Sequence, residues 1–301
     1  MFLIDQLRGL GRQITSTYRS VKRLQESLAF VQEALGRIES RQCASGPAAD
    51  LKSQEFKVYS QWGEDGIIQF LLRQVPVKRR IFVEFGVQDF TESNTRFLLK
   101  HDNWSGLIID GSQADIDYVK RDSIYWRYNL KAVCAFINRE NIDLLLRDHG
   151  LVGEIGLLSV DIDGNDYWVW EQITVVNPAI VIVEYNARFG AERAVTIPYA
   201  ADFQRTKAHH SNIYYGASLA ALVALGRRKG YAFVGTNSAG NNAFFVRADL
   251  RPESLPELSA AEGFTDSQFR EARDARGRLT FASAKEEAAI LATCPLVEVP
   301  L

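Results

Sequence analysis

The 301-residue chain sets 35 Lys and Arg against 37 Asp and Glu, a formal net charge of −2, which excludes the broadly basic surface that nucleic-acid binding needs. Hydrophobic residues make up 47% and charged residues 24%, the balance of a globular chain long enough for one large α/β domain with a well-buried core. Its three cysteines, Cys43, Cys134 and Cys294, are odd in number and far apart, which argues against a disulfide framework or a paired-cysteine zinc site and fits a reducing compartment.

No apolar run reaches the ~18 residues of a bilayer span. The start Met1-Phe2-Leu3-Ile4-Asp5 lacks the basic segment and long apolar core of a secretory leader. The expected location is therefore cytoplasmic. Leu3, Leu7, Leu10, Ile14, Val21, Leu24, Leu28, Val31, Leu35 and Ile38 alternate spacings of three and four, interrupted only at Thr17. This is a heptad seam sustained over about five repeats, so residues 1–41 are expected to form a coiled-coil helix that builds a homo-oligomer. Gly9 and Gly11 weaken its first turns by roughly 1 kcal/mol each. The mixture of Leu, Ile and Val leaves dimer and trimer open. Two other uses of the helix stand beside that one: packing on its own domain, or lying on a membrane surface through Arg8, Arg12, Arg19, Lys22 and Arg23.

Residues 42–56 read as a linker, with Gly46-Pro47 ending the helix. From about residue 57 to 250 short apolar runs alternate with helical stretches. Ile81–Phe85, Gly106–Asp110, Gly156–Asp161 and Ala179–Glu184 read as strands buried on both faces. Asn94–Lys100, Ala114–Arg121, Arg139–Asp148, Tyr167–Ile173 and Ala217–Lys229 read as helices. The alternation predicts a doubly wound, Rossmann-like α/β sheet. Tyr231–Gly235 and Ala243–Arg247, joined by a short Asn- and Gly-rich segment, read as an antiparallel hairpin ending that sheet, as class I methyltransferase sheets end. Residues 251–301 form an extension, predicted helical over 260–292, as a cap or subunit contact.

In doubly wound folds ligands bind beyond the carboxyl ends of the strands, so the polar residues there are the site candidates. Gly86 lets a cofactor approach the turn after the first strand, and Glu84 can accept hydrogen bonds from a cationic ammonium. Asp110, about one β-α unit after that turn and followed by Gly111, can hold both ribose hydroxyls. The full GxGxxG fingerprint is absent, which counts against NAD. Asp161 and Asp163 follow one strand, and Glu184 and Asn186 follow the next. Oxygen ligands of this kind suit Mg²⁺, which could lower the pKa of a substrate hydroxyl; the same residues serve equally as helix caps and ion pairs. His209 or His210 could act as general base, and Asp161 or Glu184 could do so instead.

Taken together, Ser60-Gln61-Trp62-Gly63-Glu64-Asp65-Gly66, Phe82-Val83-Glu84-Phe85-Gly86, Asn94-Thr95, Gly106-Leu107-Ile108-Ile109-Asp110, Val160-Asp161-Ile162-Asp163-Gly164-Asn165-Asp166, Tyr215-Gly216-Ala217-Ser218-Leu219 and Asn242-Ala243-Phe244-Phe245-Val246-Arg247 resemble the FkbM-type class I methyltransferases over roughly residues 57–250. The resemblance implies methyl transfer from S-adenosylmethionine to a hydroxyl, usually of a sugar or natural product. It places Glu84 and Gly86 at the cofactor turn and Asp110 at the ribose. Gln88 stands where the second glycine of the common GxGxG falls, and Asp161-Ile162-Asp163-Gly164 replaces the usual Asp-x-Glu-Gly. The expected activity is O-methylation of a sugar or glycan, as in surface-polysaccharide synthesis. The rivals are a non-catalytic coiled-coil scaffold and a nucleotide-dependent sugar-modifying enzyme.

Overall fold

The structure is a computed structural model that describes residues 2–43 and 50–300, with the side chains of residues 2–5, 7 and 8 outside that description. Residues 44–49 of the expected linker, and the seam side chains Leu3 and Leu7, therefore lie outside the described residues. Seven strands form the main sheet: β1 (Ile81–Phe85), β2 (Ser105–Asp110), β3 (Leu130–Cys134), β4 (Gly153–Val160), β5 (Val176–Glu184), β7 (Tyr231–Thr236) and β8 (Asn242–Arg247). Two-residue strands β6 (Val195–Thr196) and β9 (Val297–Glu298) pair separately and tie the C-terminal extension to the domain. The main sheet runs β3-β2-β1-β4-β5-β8-β7, and only β8 is reversed relative to its neighbours. This is the Rossmann-like sheet of methyltransferase folds, closed by the antiparallel hairpin that the sequence predicts.

Alternation along the strands explains why they read as unbroken apolar runs. Val83, Phe85, Leu107, Ile109, Leu158 and Val183 face one layer, built on helices α6 (Ile142–Asp148), α7 (Asp166–Gln172) and α9 (Leu219–Arg228). Phe82, Ile108, Leu157, Ile180, Ile182 and Phe244 face the other, built on α2 (Glu64–Gln74), α3 (Arg96–His101) and α4 (Gln113–Arg121). Both sides of each central strand are thus dry, and side chains one residue apart enter different cores.

Two expectations change. The helix predicted over 260–292 is two short pieces, α10 (Ala260–Gly263) and α11 (Ala284–Leu291), each started by a capping box, Ser259 with Glu262 and Ser283 with Glu286. Between them Asp274 gathers the N–H groups of Arg276 and Arg278, and Gly277 adopts φ +75°, a tight turn that a helix cannot pass. The remaining helices α5 (Ser123–Arg127) and α8 (Arg205–Ala208) are single turns. The end of the expected linker is packed rather than free: Leu51, Gln54 and Phe56 are buried against the domain.

The N-terminal arm is one helix, α1 (Phe2–Cys43), and its last turns do dock on the chain's own domain. At Gly36 an added Cβ would meet Val58 Cγ2 at 2.3 Å, so only glycine allows the approach. Ser40 donates to Gln69 Oε1 at 3.1 Å and accepts from Arg73 at 2.6 Å, and Tyr59 donates to Glu33 at 2.5 Å. Among the described residues no helix is long and apolar enough to cross a membrane.

Trp170 is 1% exposed and sits 4.8 Å from the Phe245 ring. Trp170→Ala is expected to lower the urea-unfolding free energy by about 3–5 kcal/mol, whereas Trp126→Ala, at 72% exposure, should stay within ~0.5 kcal/mol. Equal effects would show that the apolar layers are misassigned.

Candidate functional site

Strand pairing builds the site. β1 and β4 are parallel neighbours with Glu84 opposite Ser159, so the turns that follow them meet. Gly86 there adopts φ +71°, and an added Cβ would fall 1.7 Å from the Asp161 carbonyl oxygen. Both the backbone angle and the contact require glycine. β2 lies on the other side of β1, with Phe85 opposite Ile109, which brings Asp110 alongside. The Asp110 carboxylate accepts the Gln88 N–H at 2.8 Å on one oxygen and the Ser112 N–H at 2.7 Å on the other. It clamps the two turns together and keeps a lone pair on each oxygen. Gln88 takes φ 48°, so the position where a second glycine was expected retains a glycine-like backbone.

Two cavities open on these turns. One, of about 260 Å³, is lined by Asp110, Gly111, Phe136, Ile137, Asn165 and Phe203 among others. The second, of about 410 Å³, is lined by Gln61, Glu84, Asp89, Ser93, Asn94 and Asn242 among others. Gly86, Gln88 and Asp161 line both, so the cavities meet where the β1 and β4 turns touch.

The predicted residues divide by what their polar atoms already hold. Glu84 lies at the second cavity, but its carboxylate accepts from Ser93 Oγ at 2.6 Å, the Asn94 N–H at 2.8 Å, the Thr95 N–H at 3.2 Å and the Thr95 hydroxyl. Burial pushes its pKa up against those donors. Glu84 positions the Ser93–Thr95 loop, and little of its capacity remains for the ammonium group expected there. The acids of the Ser60–Gly66 stretch are likewise structural. Asp65, raised to about 6 by burial, collects the N–H groups of Val58, Tyr59 and Ser60. Glu64 accepts from Asn237 and Asn242 of the terminal hairpin at 2.7 and 2.8 Å. Their effect is to present Gln61 to the second cavity.

The expected Mg²⁺ set of Asp161, Asp163, Glu184 and Asn186 does not assemble. Asp163 turns away to pair with Arg205 at 2.6 Å. Asn186 is fully buried, donates to the carbonyls of Ile213 and Tyr215, and accepts from the Arg188 N–H. Among the described residues the carboxylates that do gather are Asp161, Glu184 and Asp166, with oxygens within 4.8 Å of one another. Asp166 is committed to the Ile162 and Gly164 N–H groups at 2.8 and 2.9 Å, and burial raises it to about 6. Asp161 and Glu184, at the ends of paired strands with Val160 opposite Val183, bring carboxylate oxygens within 4.8 Å of each other. Burial, then the neighbouring acids, hold both well above the usual carboxylate range. Two such carboxyls side by side resist losing both protons. Asp161 faces both cavities; Glu184, 6% exposed, lies behind it with Oε2 unpartnered.

Neither His209 nor His210 lines either cavity. Their rings lie 4.3 Å apart and tilted by 39°, His209 Nδ1 bonds Ser211 Oγ at 2.7 Å, and burial and then His210 lower the His209 pKa. Their segment does border the site, through Phe203. Sequence reasoning missed Gln61, Phe136, Phe203 and Asn242. Phe136 follows β3, whose Leu130-Lys131-Ala132-Val133-Cys134 alternation was the available signal.

No family model matches the sequence, and neither does any curated protein. Among solved structures the chain is similar to the N-terminal domain of EvdMO1 with SAH bound, at 11% identity over 70% of this chain and 94% of that one with TM-score 0.42. The pyocyanin biosynthetic protein PhzM matches at 12% identity over 58% of this chain and 52% of that one, TM-score 0.36. M. capricolum TrmK in complex with SAH matches at 9% identity over 67% and 75%, TM-score 0.35. Likenesses this distant decide nothing about chemistry; the geometry of the site has to do so.

Gly86→Ala is expected to cost at least ~2 kcal/mol, through the left-handed backbone and the clash with Asp161. Gly111→Ala, whose Cβ would meet only Phe136 at 3.7 Å, should leave thermal unfolding nearly unchanged. A tolerated alanine at position 86 would show that the two turns do not touch.

Proposed function

We propose that the chain is an S-adenosylmethionine-dependent O-methyltransferase acting on a hydroxyl of a sugar or glycan. The observation that carries this reading is the meeting of two cavities at Gly86 and Asp161 with Asp110 beside them. The first cavity suits an adenosine: Asp110 keeps lone pairs for ribose hydroxyls, and Phe136, 46% exposed, offers a ring face to the base. The second suits an amino-acid tail. Asn242 Oδ1 is buried there without a partner, while the Asn242 amide N–H group donates to Glu64 and so fixes which atom is oxygen. That acceptor takes the ammonium in place of Glu84. A buried acceptor left unpaired is costly, so it points to a ligand donor.

S-adenosylmethionine, held by Asp110, Phe136 and Asn242, would supply an electrophilic sulfonium methyl with a neutral thioether as its leaving group. Asp161, at the junction, takes the hydroxyl proton, and Glu184 behind it keeps a proton and orients the Asp161 carboxylate. A base at this point favours a hydroxyl acceptor, which must lose a proton, and the motif resemblance favours a sugar. The aligned cavities do the rest by holding the oxygen in line with the methyl. No step is routed through Mg²⁺.

Calorimetry with S-adenosylmethionine is expected to show binding that Asp110→Ala weakens by at least ~1 kcal/mol. No binding would favour the scaffold, and tighter binding of NAD or a nucleotide sugar would favour the other enzyme class. Asp161→Asn is expected to lower kcat by about 10²–10⁴. Wild-type activity should rise with pH through a limb above the ordinary carboxylate range, because the base works ionised and its pKa is raised. Glu184→Gln should keep activity, persist in EDTA and move the limb to lower pH, since the second ionisable carboxyl is gone. The pair's stability contribution has the opposite sense: the folded chain keeps a proton the unfolded chain has lost, so it is full at low pH and fades as pH rises through the raised range. Asp161→Asn at wild-type rate would remove the base assignment.

A further inference from the structure

We infer that α1 pairs with α1 of another copy of this chain along its heptad seam while its opposite face stays on its own domain. The register makes the two contacts compatible. With Ile14, Val21, Leu28 and Leu35 at heptad position a, and Leu10, Leu24, Val31 and Ile38 at d, the docking residues Glu33, Gly36, Ser40 and Cys43 fall at b and f. These lie across the helix from the seam. The exposures agree: Gly36 and Ser40 are buried, whereas the seam side chains remain between 47% exposed at Val21 and 69% at Leu24. The domain therefore holds the helix without covering its apolar stripe, and the stripe cannot fold back onto this chain.

Two features identify what covers it. The stripe repeats every 3.5 residues rather than 3.6, and that period keeps a seam on one side only when the helix supercoils about another helix of the same period. The residues flanking the stripe then favour a helix over a membrane surface. A helix lying on anionic lipid carries its basic residues along the polar face and the border of the apolar stripe, where they snorkel to the headgroups. Here the borders are uncharged over most of the helix: Gln13, Ser20 and Ser27 on one flank, Tyr18, Gln25 and Gln32 on the other. Arg12, Arg19, Lys22 and Arg23 lie on the b, c and f positions, away from the seam. Neutral flanks bring no like charges together when two identical helices meet, so self-pairing meets no electrostatic barrier.

The arm is also fastened to the site it carries. Gln32 donates to the Val58 carbonyl and Glu33 accepts from Tyr59. Val58, Tyr59 and Ser60 form the amide cluster on Asp65 that precedes Gln61. Each paired helix thus carries the loop that presents Gln61.

Sedimentation of the full chain at micromolar concentration is expected to give a mass of two or three chains. A Leu24→Asp/Leu28→Asp variant, altered at exposed positions, should sediment as a single chain while the domain keeps its wild-type thermal transition. Arg19→Glu/Lys22→Glu should keep the multimeric mass. A single-chain mass for the wild type overturns the inference without reference to any variant. A seam variant that stays multimeric overturns it too, as does a monomeric wild type that co-sediments with phosphatidylserine vesicles.

Discussion

The contact between the β1 turn and the β4 turn is the constraint on which the site depends. Parallel pairing places the ends of neighbouring strands at one edge of the sheet, and the twist of the sheet leaves no room between their turns. Gly86 resolves this by having no side chain where the Asp161 carbonyl arrives. The cleft on either side of that contact is then divided into two cavities that share a narrow junction. A ligand that fills both must bend or narrow there, and its central atoms come to Asp161. A nucleoside joined through sulfur to an amino acid has that form.

Carboxylates at this edge perform two different tasks, told apart by what their oxygens already hold. Asp65, Glu84 and Asp166 are buried and surrounded by backbone N–H groups or hydroxyls. Each shapes a loop, and burial with these hydrogen bonds makes it a fixed part of the scaffold. Asp161 and Glu184 have mainly each other, and Asn242 has an oxygen with nothing. An unsatisfied buried polar group on a residue that lines a cavity is where a ligand can complete the structure.

Much of the sheet was legible because its strands are apolar on both faces and end in acids: Ile81–Phe85 matches to the residue, and the β7-β8 hairpin stands where its Asn- and Gly-rich loop predicted. β3 was not legible, since it is an edge strand with Lys131 exposed and only weak alternation. The helix α2 was hidden by the polar run before it, which proves to be the loop that Asp65 holds. Gly86, Asp110, Asp161 and Glu184 could be placed at one edge of the sheet from sequence, because topology alone brings strand ends together. The metal set, the two histidines and Glu84 as a ligand were not decidable from sequence. Which way Asp163 turns depends on Arg205, 42 residues away, and Glu84 is occupied by a loop ten residues on.

The most direct measurement is a crystal structure with S-adenosylhomocysteine. The account predicts the ribose hydroxyls on Asp110, the base against Phe136, the amino group on Asn242 Oδ1 and the sulfur at the junction between Gly86 and Asp161. A ligand bound elsewhere, or cavities that stay filled with solvent at saturating concentration, would contradict it.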